Sequence, residues 1–165
     1  MTMHSPITTT IRAAVLGLCL TWLPTAALAY DTLATSEEDP PAACDSGDTI
    51  YAATCYGDYC DNTALSCAET NYPVYYRYWT GNFSEETGGA YCGVNEIMTG
   101  LSCSGSYCDN NSIECTGIPA TAYDCNWLGP VSEESGPAYF GNQYARGMWC
   151  SGDYCDNHYY LICNY

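Results

Sequence analysis

The motif Cys-x-Gly-x-Tyr-Cys-Asp-Asn occurs three times at a period of about 48 residues, and that period constrains the fold more than any local propensity does. The copies are Cys55-Tyr-Gly-Asp-Tyr-Cys60-Asp-Asn, Cys103-Ser-Gly-Ser-Tyr-Cys108-Asp-Asn and Cys150-Ser-Gly-Asp-Tyr-Cys155-Asp-Asn. An echo precedes each one: Ser36-Glu-Glu-Asp-Pro-Pro-Ala-Ala-Cys44, Ser84-Glu-Glu-Thr-Gly-Gly-Ala-Tyr-Cys92 and Ser132-Glu-Glu-Ser-Gly-Pro-Ala-Tyr-Phe140. They divide the chain into units at 31–78, 79–126 and 127–165, with Trp79 and Trp127 at matching places. Residues repeated in every unit are first of all scaffold.

Residues 1–29 read as a secretory signal: Arg12, an apolar stretch from Ala13 to Leu23, then the cleavage site Ala27-Leu28-Ala29. The stretch is too short for a membrane span, which needs ~20 apolar residues. The expected product is one soluble domain, 30–165, exported to the extracellular space or, in a bacterium, to the periplasm. Cleavage removes Cys19 and leaves 12 cysteines, an even and dense set that reads as a disulfide framework. Zinc would need further ligands, and the mature part has only His158.

All 19 acidic residues follow the signal, against only Arg77 and Arg146, so the mature charge is −17. That field excludes phosphate backbones and anionic membranes. It fits solubility, or a basic protein partner.

Helix signals are nearly absent, and Gly, Pro, Asn and Asp punctuate short aromatic or β-branched runs. Strands are expected at Pro73–Trp79 and at Glu96–Cys103, the latter with Ile97, Leu101 and Cys103 on one face. After each Asp-Asn turn an inward pair is expected: Leu65 with Cys67, Ile113 with Cys115, Leu161 with Cys163. About four strands per unit predict an all-β domain of three sheets around a pseudo-threefold axis, a β-prism, with a β-trefoil as the alternative.

Nested pairing is preferred for the cysteines, because the glycine inside each Cys-x4-Cys ring frees the backbone for a tight closure. It gives Cys55–Cys60, Cys103–Cys108 and Cys150–Cys155, with outer bridges Cys44–Cys67 and Cys92–Cys115. In the third unit Phe140 replaces the outer cysteine. A hairpin over 123–140 would bring Cys125 opposite Phe140, within reach of Cys163. Sequential pairing, Cys125–Cys150 and Cys155–Cys163, is the alternative.

Asp61-Asn62, Asp109-Asn110 and Asp156-Asn157 offer hard oxygen ligands, so calcium is the one cofactor to consider. The same residue types initiate turns, and the turn reading is preferred. The Ser-Glu-Glu triplets read as exposed turns, since adjacent glutamates on an extended chain point apart. His158 lacks a nucleophile turn to serve, and catalysis is not expected. Tyr59, Tyr107 and Tyr154 recur within the rings and read as scaffold. Outside the strict repeat stand Tyr75, Tyr76, Tyr78, Tyr144, Tyr159 and Tyr160. With Trp79, Trp127 and Trp149 they are the candidate ligand-binding residues, suited to a sugar or a protein surface.

The tripled pattern of a Trp and Ser turn, a cysteine, then Asp-Asn-x-x-x-hydrophobic-x-Cys resembles the vitelline membrane outer layer protein I family. Cys60-Asp-Asn-Thr-Ala-Leu-Ser-Cys67 carries the likeness best. The resemblance implies a secreted β-prism of three Greek-key sheets, associated with an extracellular coat and with carbohydrate. The Cys-x-Gly-x-Tyr-Cys rings, the Glu-Glu turns, Phe140 and the scarcity of basic residues depart from that family. The expected function is a non-catalytic binding or coat protein acting on an extracellular glycan. An inhibitor or toxin-like effector of a basic protein is the alternative.

Overall fold

The computed structural model describes residues 30–165, with side chains from Leu33 onward; the expected signal segment and Cys19 lie outside the described residues. Twelve strands follow in order: β1 Tyr30–Ser36, β2 Ala42–Ala43, β3 Asp48–Tyr56, β4 Asn62–Glu69, β5 Arg77–Trp79, β6 Gly89–Tyr91, β7 Glu96–Ser104, β8 Asn110–Gly117, β9 Tyr123–Val131, β10 Ala138–Tyr139, β11 Tyr144–Ser151 and β12 Asn157–Asn164. Among the described residues there is no α-helix, only single 3-10 turns at Asp58–Cys60, Ser106–Cys108 and Asp153–Cys155.

The strands form three four-stranded antiparallel sheets, ordered β1-β4-β3-β10, β5-β8-β7-β2 and β9-β12-β11-β6. Each sheet holds a long hairpin, one outer strand and one short strand brought from elsewhere in the chain. β2 leaves the first unit for the second sheet, β6 leaves the second for the third, and β10 returns from the third to the first. The unit boundaries read from sequence, 78/79 and 126/127, therefore fall inside β5 and β9.

Each central strand carries one extra residue, at Tyr51, Thr99 and Arg146, where the register slips against its hairpin partner. A bulge reverses which side chains face inward. It corrects the expectation for β7: Met98, opposite Cys115, joins Leu101 and Cys103 on the core face, and Ile97 turns to the other. The strand expected at Pro73–Trp79 shrinks to Arg77–Trp79. Tyr75 N donates to Gly117 O and Gly117 N to Tyr76 O, so both bonds converge on one residue and the ladder stops.

A second correction concerns β12. Cys155 to Cys163 is one residue longer than Cys60 to Cys67, so Tyr160 takes the place of Leu65 and Ile113, and all three are fully buried. Leu161 is only half-buried. The same alignment puts His158 at the position of Thr63 and Asn111, all buried.

Six disulfides close the structure in the nested arrangement, with Cys125 bonded to Cys163. On the chain-entropy argument a small ring contributes about 2 kcal/mol and an outer bridge about 3.5 kcal/mol. Two outer bridges join neighbouring sheets. Cys44 N bonds to Thr99 O beside β2 on the second sheet, while Cys67 lies in β4 of the first. Cys92 likewise docks on Arg146 O of the third sheet and is bonded to Cys115 of the second. Cys125–Cys163 instead ties β9 to its own neighbour β12, and no 123–140 hairpin forms, because β10 pairs with β3. Phe140 docks on Tyr51 O and meets Tyr160 ring to ring at 5.3 Å.

Candidate functional site

Because one face of each sheet is committed to the core, ligand contact falls to the outer faces and to the ends. The third sheet's outer face differs from the other two. Trp149 of β11 pairs across the ladder with Tyr159 of β12, ring centroids 4.6 Å apart. Trp127 of β9 stands 6.5 Å from Trp149 and 5.9 Å from Tyr91 of β6, edge to face with both. All four strands of the sheet contribute one ring. Tyr91 and Trp127 are 51% and 47% exposed, so the cluster faces solvent.

Small residues beneath the rings make this arrangement fit. A Cβ on Gly147 would strike the Tyr91 ring at 2.8 Å, and one on Gly129 would strike the Tyr159 ring at 3.0 Å. Aromatic rings laid over glycines protect backbone that would otherwise be bare. At the places of Trp149 and Tyr159 the first sheet has Thr54 and Ala64, and the second has Ser102 and Ser112. The aromatic pair has no counterpart at those places.

Of the nine candidates, Trp127, Trp149 and Tyr159 are gathered here. Tyr91 joins them although sequence reasoning passed over it, as it sits in the repeated Ala-Tyr pair ahead of Cys92 and Phe140. Tyr76 and Tyr78 form a separate stacked pair at 6.4 Å, both hydroxyls donating to Glu96 at 2.8 Å. Tyr144 lies between Tyr72 and Tyr165, at 5.9 and 5.8 Å. Tyr75 and Trp79 are exposed outside these groups. Tyr160 is corrected: it is fully buried and offers no surface, because the extra residue of β12 turns it into the core.

Glu96 is a buried acid with three hydrogen-bond donors around its carboxylate. Burial works against its charge, but Gly93 N and the hydroxyls of Tyr76 and Tyr78 outweigh that and hold its pKa below the usual value. In return the Glu96 bond, with burial, pushes the Tyr78 phenol up to about 12. The result is a lock between the 70s loop and β7, and among the described residues no second carboxylate stands beside it to share acid and base roles. His158 has neither ring nitrogen bonded, and burial lowers its pKa to about 4. A histidine held neutral and out of contact with solvent has no proton acceptor or donor to exchange with.

Among the described residues, two clusters contain cysteine sulfurs and a carboxylate within 4.8 Å of one another, Cys55–Cys60–Glu133 and Cys92–Glu96–Cys115. All four cysteines are in disulfides, and metal ligation requires a thiolate. In each ring the Asp carboxylate accepts from the Asn that follows it, at 2.5 Å for Asn62 to Asp61 and Asn110 to Asp109, and likewise for Asn157 to Asp156. Asp45, Asp48 and Glu69 line an open depression of about 510 Å³ next to Tyr72. Burial, then Asp45 and Glu69, raise the Asp48 pKa there.

The three ring turns converge. Tyr59, Tyr107 and Tyr154 meet pairwise at 5.3, 5.3 and 5.1 Å, one from each unit. Around them the first glutamate of each Ser-Glu-Glu reaches the next ring: Glu37 accepts from Tyr107 N at 2.6 Å, Glu133 approaches Cys60, and Glu85 approaches Cys155.

No family model, curated protein or solved structure matches the chain.

Proposed function

We propose that the chain is a secreted, non-catalytic binding or coat protein that takes carbohydrate on the outer face of its third sheet. The observation that carries this reading is the Tyr91–Trp127–Trp149–Tyr159 cluster, present on one sheet of three that otherwise share a layout. Tyr and Trp rings present rigid apolar faces with polar edges, the chemistry that stacks on a sugar ring while bonding its hydroxyls. The charge of the chain favours neutral or amino sugars over anionic ones. Six disulfides fit an oxidising, extracellular setting, and no helix among the described residues is long and apolar enough to cross a membrane. The proposal extends to architecture: three sheets about a pseudo-threefold axis, a β-prism of the kind seen in the vitelline membrane outer layer protein I family.

The test is retention on insoluble neutral and amino polysaccharides, with Trp127→Ala and Trp149→Ala beside the unaltered protein. Loss of retention in both variants, with disulfides and melting temperature intact, supports the reading. Absence of retention on every matrix overturns it. A second reading, a basic protein as partner, draws on the acidic collar of Glu37, Glu85 and Glu133. It predicts binding that weakens steeply with salt.

A further inference from the structure

We propose that Tyr59, Tyr107 and Tyr154 form an oxidative coupling site, where phenol rings of different units become joined carbon to carbon. The inference is independent of the carbohydrate reading and rests on geometry. Among the described residues the three pairs of this triad, at 5.1 to 5.3 Å, are closer than any other tyrosine pair; the next are 5.8, 5.9 and 6.4 Å. Their interplanar angles are 52° to 68°, so the rings meet edge-on or tilted rather than stacked face to face. The rings are 41%, 41% and 39% exposed, open to a small oxidant.

The backbone holds them there. Each tyrosine has φ between 55° and 57°, a left-handed conformation that a bulky residue adopts only when its surroundings impose it. Here a six-residue disulfide ring and the glycine two residues earlier impose it. Preorganised rings lose little freedom on coupling, whereas exposed tyrosines such as Tyr75, Tyr123 and Tyr139 must first find a partner.

The chemistry needs an oxidant, and hydrogen peroxide activated by a haem peroxidase is the class the proposal names. Each of two phenols gives up one electron and one proton. The two phenoxyl radicals form one bond between ring carbons ortho to oxygen, and the hydrogens on those carbons move to the oxygens. Two hydrogen atoms leave in all, reducing one peroxide to two waters. The outcome has structural meaning, because the first and third sheets lack an outer disulfide between them. A Tyr59–Tyr154 bond supplies that missing covalent tie.

The experiment treats the full disulfide-bonded protein with a haem peroxidase and hydrogen peroxide. It follows dityrosine fluorescence, intact mass and the cross-linked peptides. The expected result is a monomer lighter by two hydrogens, with linked peptides drawn from those bearing Tyr59, Tyr107 and Tyr154. The triple variant Tyr59→Phe, Tyr107→Phe, Tyr154→Phe keeps the ring packing and is expected to lose the fluorescence several-fold. Cross-links that map to Tyr75, Tyr123 or Tyr139 overturn the proposal, as does undiminished coupling in the triple variant. If that variant fails to fold, the peptide map of the unaltered protein decides alone.

Discussion

Phe140 and Tyr160 meet as tilted rings, centroids 5.3 Å apart, where the two sibling junctions carry a disulfide between sheets. The third unit has exchanged a covalent clamp for an aromatic one, and its thiols are redeployed to staple β9 onto β12. Phe140→Ala is therefore expected to destabilise by about 3–5 kcal/mol, the range for buried Phe truncation. Tyr160→Phe behaves oppositely. Its hydroxyl is buried without a partner, and removing an unsatisfied group is neutral or stabilising. Denaturant unfolding of both variants checks the pair; a Tyr160→Phe loss as large as that of Phe140→Ala refutes it.

His158 predicts an acid sensitivity with a definite sign. Its folded pKa, about 4, lies below the unfolded value near 6.5, so the unfolded chain binds the proton more readily in between. Stability is full above about pH 6.5 and falls by about 3 kcal/mol as the pH drops to about 4. Replacing His158 by Thr, the residue its first sibling position carries as Thr63, removes that component while leaving carboxylate titration in place. The difference between the two melting-temperature profiles over that window is the measurement.

Glu96→Gln removes the charged acceptor of two phenols. The Tyr78 titration, now about 12 because of its bond to Glu96, is expected to move back toward 10. Since the raised phenol stabilises the fold below pH 10 and ceases to do so as pH climbs through 12, the variant should also lose less stability across that interval. Ultraviolet titration of phenolate shows the first effect and melting curves the second. An unmoved Tyr78 titration argues against the lock.

Gly105 sits at φ 82°, ψ −178°, and a Cβ there would run into Asp109 Oδ1. Gly47 also has positive φ, 101°, yet nothing lies within 4 Å of its Cβ position. Gly105→Ala is expected to cost about 1–3 kcal/mol, and more than Gly47→Ala, since it adds a collision to backbone strain. Equal melting temperatures for the two variants would falsify the role assigned to the ring glycine.

Much of the scaffold was legible because period, cysteine spacing and turn chemistry all repeat. The nested pairs and the all-β class follow from residues such as Gly57 between Cys55 and Cys60. What escaped was whatever a one-residue change in register controls. The extra residue at Thr99 turned Ile97 to the opposite face of its strand, where it is still fully buried, and the one in β12 put Tyr160 in and Leu161 out. The exchange of β10 escaped as well, because a two-residue strand has no periodicity to read. Trp127, Trp149 and Tyr159 were identifiable singly. Their assembly with Tyr91 depends on cross-strand neighbours that only the sheet order supplies.

The circular loan of short strands has a consequence for stoichiometry. A peptide holding one unit alone would extend an edge with no sheet of its own to receive it, and would lack the strand its own sheet awaits. Three such peptides can satisfy one another, each lending to the next. Joined in one chain, the three segments complete one another without any meeting of separate molecules.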